Sequence, residues 1–192
     1  MSIEERRRPL VVAVVGPRKS GKTAVAECVI SSLSRAGLSV GAVKRVHEEG
    51  FTIDREGKDS WRLARAGAEV VAVVAPGEAS LVRRGLEWSE GLEWALTEMA
   101  ELGVDVIVVE GAHSVLGSRS DVMKILVARD EEELERVLEG TRPPIAAVSG
   151  PVSSRRELEE RLGVRLVDFC SNEEAAVEVL GLGGKGFGFH VG

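Results

Sequence analysis

Apolar residues fall into short unbroken runs along this chain, not into alternating or heptad patterns. Residues 10–15, 39–44, 69–75, 104–109, 122–128 and 145–149 are Val-, Ile- and Ala-rich stretches. Runs of this length and β-branched content are the mark of strands buried on both faces. Between them, residues 22–36, 58–66, 89–102, 131–138, 154–162 and 172–180 read as helices. Strand alternating with helix predicts an α/β fold, a doubly wound and mostly parallel sheet flanked by helices. With no internal repeat or low-complexity linker, residues 1–180 are expected to form one domain. Residues 181–192, where glycines interleave with Lys185, Phe187, Phe189 and His190, are expected to form a flexible tail or a partner-contacting arm.

Composition narrows the class without changing this picture. The chain has 192 residues, 44% hydrophobic and 29% charged, which suits one α/β domain with a sizeable core. A formal net charge of −6 argues against general nucleic-acid or membrane-surface binding, so any anion site must be local. No apolar run has the length of a membrane span or of a signal-peptide core, and a cytoplasmic location is expected. The charged patch Glu4-Glu5-Arg6-Arg7-Arg8 is followed directly by the first strand, which argues against a twin-arginine signal. The two cysteines, Cys28 and Cys170, have no spacing that suggests zinc or a disulfide framework, and they are expected to be buried or incidental thiols.

Chemistry enters at residues 16–23. Gly16-Pro17-Arg18-Lys19-Ser20-Gly21-Lys22-Thr23 matches G-x-x-x-x-G-K-[ST], the Walker A motif, at every fixed position. It follows a predicted strand and opens a predicted helix. This order aims loop N–H groups and the positive helix end at one point, where a polyphosphate can sit. Gly16, Lys19, Ser20, Gly21, Lys22, Thr23 and Ala24 are therefore the candidate phosphate-binding residues of a P-loop NTPase-type fold. Lys22 is expected to reach the β/γ-phosphates and Thr23 to ligate Mg²⁺.

A parallel sheet collects the carboxyl ends of its strands at one edge, where ligands bind. That rule ranks the acidic residues. Glu110 ends the strand 104–109 and can stand beside the phosphate loop as a second metal group, whereas Asp105, near the strand's start, belongs at the opposite edge. Gly111 would allow a tight exit or a close approach of phosphate. Lys44 ends another strand and opens a loop, residues 45–57, that carries His47, Phe51 and Asp54 and resembles a mobile switch segment; Asp54 is a candidate metal or water-ordering group. His47 has no second His or Cys at ligand spacing.

One resemblance is specific. Val40-Gly41-Ala42-Val43-Lys44, then His47, Phe51 and Asp54, then Gly57-Lys58-Asp59-Ser60-Trp61-Arg62 leading to Ala66-Gly67-Ala68, resembles the signature of the molybdopterin-guanine dinucleotide biosynthesis B (MobB) family. The resemblance covers roughly residues 10–150, and G-K-D-S-x-R joined to A-G-A is its specific part. Arg45 stands where the family usually has His, and Glu56 where it has Pro. Glu110-Gly111-Ala112-His113 lacks the aromatic and lysine that normally follow E-G; His113 or Lys124 are candidates to supply the missing group.

The resemblance implies a homodimeric protein that binds GTP with Mg²⁺, hydrolyses it slowly, and assists a molybdopterin guanylyltransferase. It carries over to Gly16, Lys19 to Thr23, Lys44, His47, Asp54, Lys58, Asp59, Ser60 and Glu110, with Lys22, Asp54 and Glu110 as catalytic groups and Thr23, Asp54 and Glu110 as metal groups. Asp59 and Ser60 also read simply as helix caps. Arg18 and Arg45 are the candidate arginine fingers.

Base choice is not written in the residues. No N-K-x-D string is present, and Ser149-Gly150-Pro151, the expected base-side loop, offers no acceptor at Gly150. Two other readings stay open at this point. One is an ATP-dependent P-loop kinase or ligase acting on a small molecule, and the other is a non-catalytic, nucleotide-gated adaptor that uses Trp88, Trp94 or the terminal Phe residues for contact.

Overall fold

The computed structural model describes residues 8–183, and the flexibility expected of the tail concerns residues that, beyond Gly183, lie outside that range. In chain order the elements are β1 (Leu10–Val15), α1 (Lys22–Arg35), β2 (Val40–Lys44), α2 (Asp59–Arg65), β3 (Val70–Ala75), β4 (Glu78–Arg83), α3 (Trp88–Glu101) and β5 (Val106–Glu110). After them come α4 (His113–Leu116), β6 (Met123–Val127), α5 (Glu131–Glu139), β7 (Ile145–Ser149), a 3₁₀ turn (Pro151–Ser154), α6 (Glu157–Leu162) and α7 (Ala175–Val179). The chain divides into two compact units: Val46–Trp94, and the segments on either side of it.

The larger unit holds a five-stranded sheet in the order β2-β5-β1-β6-β7, with every pairing parallel. Its central strands are the apolar runs of the sequence. Val12, Ala13, Val14 and Val15 are all fully buried, as are Ile107, Val109, Ile125, Leu126 and Val127. Successive strand residues face opposite layers. Val12 and Val14 join Val25, Val29 and Leu33 of α1 and Ala175 and Ala176 of α7 in one cluster, while α5 packs on β6. Each such aliphatic side chain contributes roughly 1.5–3 kcal/mol on burial, so this two-layer core fixes the strand order.

The smaller unit departs from the expected alternation. The run 69–75 supplies β3, but it pairs antiparallel with β4 in a separate two-stranded sheet. Only Pro76 and Gly77 separate the two strands, and Gly77 has φ 83°. A two-residue link closes a hairpin and cannot make the long crossover that parallel strands need. β4 itself, Glu-Ala-Ser-Leu-Val-Arg, was hidden by its polar alternation, which suits a strand with one solvated face.

The cysteines also correct the sequence reading. Cys28 of α1 and Cys170 form a disulfide across 142 residues, with Cα atoms 5.2 Å apart. Two isolated cysteines so far apart carry no signal of pairing, because only the packing of α7 and its approach segment on α1 brings them together. Closing so long a loop restricts the unfolded chain by roughly 5 kcal/mol in the chain-entropy model. A Cys28→Ser/Cys170→Ser double variant should therefore unfold at a clearly lower denaturant midpoint than the oxidised wild type. Equal midpoints would show that the bridge adds nothing to folding.

Candidate functional site

The carboxyl ends of all five strands lie at one edge, as the register requires. Val14 and Lys44 both pair with Glu110, Val15 pairs with Leu126, and Val127 with Ser149. Residues 16–21 leave β1 at this edge and turn into α1. Lys19 (φ 62°) and Gly21 (φ 95°) both take the left-handed conformation there, which turns successive N–H groups toward a common side. Gly21 is the N-cap of α1 and makes no side-chain cap bond, and the first turn has no acidic residue. The positive end of the helix is thus uncompensated by its own side chains.

The loop is held close to the sheet. A Cβ at Gly16 would lie 2.1 Å from the Val127 carbonyl oxygen, so only glycine lets β1 exit beside β6. Gly150 approaches the same place from β7, where a Cβ would meet the Ala128 carbonyl at 2.7 Å. Under the loop, the Ser20 hydroxyl is buried (2% exposed) and has no hydrogen-bond partner among the described residues. Buried hydroxyls are rarely left unpaired, and one in a cradle of N–H groups fits a phosphate oxygen. Lys22 bends back to donate to the Pro17 carbonyl. Burial lowers its pKa below the ordinary 10.5, while the carboxylates of Glu110 and Glu133 act in the opposite direction.

Several residues named from the sequence meet here. Thr23 of α1, Lys44 of β2 and Glu110 of β5 line one cleft whose walls include Ala26, Ile30 and Val43. Lys44 donates to the Glu110 carboxylate at 2.9 Å, across adjacent strands. Asp105 lies at the opposite edge as expected, accepting from the Ser39 N–H at 2.8 Å. Thr23 and Glu110 are hard oxygen donors of the kind Mg²⁺ uses when phosphates and water complete its shell.

Other expectations are placed differently. His113 turns away to the α5–β7 connection, where its Nε2–H donates to Thr141 Oγ1 at 2.8 Å, because the Thr141 hydroxyl is itself spent on Val137. Burial lowers the His113 pKa. Lys124 is fully buried near the start of β6, far from the carboxyl edge, and donates to the carbonyls of Arg119 and Val122. Neither residue supplies the cation missing after Glu110-Gly111. Arg45 donates to Ser114 Oγ at 2.9 Å, and Arg18 is exposed on the loop.

Within the smaller unit, Asp54 is the centre of a cluster. Ser60 donates to its Oδ1 at 2.7 Å and Arg84 to its Oδ2 at 2.7 Å. The Ser60 bond, with help from the Arg55 N–H and the Arg84 guanidinium, holds the Asp54 carboxyl below its ordinary pKa of 3.8. Asp59 contacts Arg62 at 3.3 Å, and Lys58 is the N-cap of α2 without a side-chain cap bond, so Asp59 and Ser60 fall inside the first turn and do not cap it. His47 and Lys58 are exposed.

Two charged groups near the loop escaped sequence reasoning. Arg129 follows β6 at the carboxyl edge, and its side chain grips the buried carboxylate of Glu133, whose other oxygen accepts from the Arg129 N–H at 2.9 Å. Asp130 caps α5 by accepting from Glu133 N at 2.9 Å. The signal was present as an Asp followed three residues later by Glu, a capping pattern placed after a strand end.

A strand, a glycine cradle and a helix at the edge of a parallel sheet define the P-loop NTPase type of α/β fold. The chain belongs to the MobB family: the family model "Molybdopterin guanine dinucleotide synthesis protein B" matches residues 11–150. A Haemophilus influenzae relative, "Molybdopterin-guanine dinucleotide biosynthesis adapter protein", is 28% identical over 121 residues, 63% of this chain and 64% of that protein. A Methanocaldococcus jannaschii relative, "Putative molybdopterin-guanine dinucleotide biosynthesis adapter protein", is 25% identical over 122 residues; the match takes in 64% of this chain but about half, 48%, of the relative. The crystal structure of Bacillus subtilis MobB is similar with a TM-score of 0.65 and 26% identity, over 90% of this chain and 96% of that one. A second crystal structure, of molybdopterin-guanine biosynthesis protein B, gives 0.63 at 26% identity, over 90% and 98% of the two chains.

Two predictions test this geometry. Gly16→Ala should cost about 1–3 kcal/mol of stability, as overpacking against rigid backbone does, and distort the loop; unchanged denaturant stability would contradict the close approach to β6. Because the folded Asp54 pKa lies below the unfolded value, its stabilising contribution is complete above pH 3.8 and is lost as pH falls through the folded value. The stability difference between wild type and Asp54→Asn should accordingly hold at neutral pH and shrink below pH 3.8. A difference independent of pH would remove the carboxylate's role.

Proposed function

We propose that this chain binds GTP with Mg²⁺ at the 16–23 loop and serves as an adapter to a molybdopterin guanylyltransferase in molybdenum cofactor biosynthesis. The observation that carries the nucleotide half is the buried, unpartnered Ser20 hydroxyl inside the glycine cradle. Lys22 and the loop N–H groups would neutralise the β/γ-phosphates, with Thr23 and Glu110 holding the metal. When bound, Mg²⁺ would draw charge from the phosphate oxygens. Glu110 would order a water at the same edge.

Turnover in this reading is slow, since the guanidiniums of Arg45 and Arg129 already bond Ser114 and Glu133. Asp54 enters it as the post that braces the 46–58 loop, both of its oxygens being taken by Ser60 and Arg84.

The adapter half draws on the relatives' descriptions and on the smaller unit's surface. Phe51 (57% exposed), Ile53 (80%) and Val74 (80%) stand in solvent there, together with Leu63 and Leu81. Apolar residues gathered on a small hairpin unit suit contact with protein, either a second copy in a homodimer or the transferase. No helix among the described residues is long and apolar enough to cross a membrane.

Calorimetric titration with GTP and ATP, each with and without Mg²⁺, tests the proposal. Mg²⁺-dependent preference for GTP is expected, and Lys22→Ala should abolish binding while the fold persists. Preference for ATP would favour a small-molecule kinase, and unchanged affinity in Lys22→Ala would refute the site.

A further inference from the structure

The Cys28–Cys170 bridge lies at a functional place in the fold. Residues 165–167 run parallel beside β7: Val148 N–H donates to the Arg165 carbonyl at 2.7 Å, and Val167 N–H to the Val148 carbonyl at 2.8 Å. A segment parallel to the sheet must emerge at the same carboxyl edge as the phosphate loop. The turn that follows, residues 168–171, therefore stands at the ligand edge. It is a built turn, in which the Asp168 carboxylate accepts from the N–H groups of Cys170 and Ser171 and from the Ser171 hydroxyl.

Strand order decides which end of a ligand this turn meets. Glu110 and Lys44 belong to β5 and β2, on one side of β1, whereas β6, β7 and the 165–167 extension lie on the other. If the metal and terminal phosphate sit on the Glu110 side, the nucleoside end extends toward the loop after β7 and the turn at 168–171. Cys28 is six residues beyond Lys22, about 9 Å along α1 at 1.5 Å per residue. The disulfide thus fastens the nucleoside-side turn directly to the helix that carries the phosphate loop.

Apart from the bridge, this turn is held by the 165–167 pairing with β7 and by apolar packing on α1. Phe169 (3% exposed) enters the α1 cluster, α7 spans five residues, and the Arg35–Glu173 ion pair is exposed. In mesophiles, disulfides of cytosolic proteins are usually transient and catalytic or redox-sensing. Cys170 is exposed and Cys28 half-buried, so a thiolate can reach the bridge from the Cys170 side.

We propose that Cys28–Cys170 is a reversible redox clamp on the nucleoside side of the nucleotide site, raising nucleotide affinity when oxidised and releasing the 168–171 turn when reduced. The proposal rests on the nucleotide reading above. In reduction, a dithiol protein or small dithiol attacks Cys170 Sγ and Cys28 leaves as the thiolate. The second thiol of the reductant then resolves the mixed disulfide. Two electrons and two protons pass to the cysteines, and the reductant ends as its own disulfide. Oxidation by a disulfide donor reverses each step.

The test measures Mg²⁺-GTP affinity by calorimetry on oxidised and dithiothreitol-reduced full-length protein, with thiol titration to establish the state and circular dichroism to follow folding. Oxidised protein should bind roughly tenfold more tightly, a coupling of ordinary allosteric size. Cys28→Ser/Cys170→Ser and Cys28→Ala/Cys170→Ala variants should bind like the reduced form with or without reductant, and hydrogen exchange on reduction should rise first in residues 166–182. Equal affinity in both states, with the thiols shown to open, overturns the clamp alone and leaves the nucleotide site standing. No GTP binding in any state refutes the site and the clamp with it. Global unfolding on reduction makes the bridge a staple and likewise overturns the proposal.

Discussion

Everything at the site depends on one close approach: the backbone of Gly16 against the Val127 carbonyl, where a single added carbon would lie 2.1 Å from oxygen. That contact lets β1 leave the sheet beside β6 and swing directly into α1. The buried Val12–Val15 run makes the contact rigid, because β1 is the central strand and both of its layers are packed. A phosphate loop of backbone N–H groups works only when the backbone cannot relax away from its ligand. Here the immobility comes from the core, not from the loop residues.

Charge around the loop is arranged in pairs. Lys44 lies against Glu110, Arg129 against Glu133, and Lys22 feels both carboxylates while its ammonium is partly desolvated. A net charge of −6 would otherwise oppose a polyanion. Local cations and a helix end answer that opposition over a few ångströms, and the carboxylates keep those cations placed.

The smaller unit follows a different logic. Its two-stranded sheet is backed by the seven-residue α2, which has no buried residue, and strands of this number are marginal without a larger layer. Asp54 ties loop to helix and to Arg84, just beyond β4, through charge-assisted bonds, doing by polar contact what apolar packing does in the larger unit. The apolar side chains left in solvent are then available to a partner.

Much was legible in the chain itself. The runs at 10–15, 104–109, 122–128 and 145–149 marked strands of the parallel sheet, and G-x-x-x-x-G-K-T between a strand and a helix marked the loop, whereas the like run 69–75 became the mostly exposed, antiparallel β3. The rule that parallel strands end together put Glu110 at the carboxyl edge and Asp105 at the opposite one, and there the Thr23–Lys44–Glu110 cleft and the Ser39–Asp105 bond lie. These are local or topological properties, written in a few consecutive residues. The β3–β4 hairpin and the Arg129–Glu133 pair had local signals in Pro76-Gly77 and in the i,i+4 spacing, whereas the turning of His113 to Thr141, the burial of Lys124, the Asp54–Arg84 pair and the Cys28–Cys170 bridge were decided by tertiary structure alone. Each joins residues whose encounter depends on how layers stack, or reverses a local preference through packing, and a one-dimensional pattern holds no record of such distances.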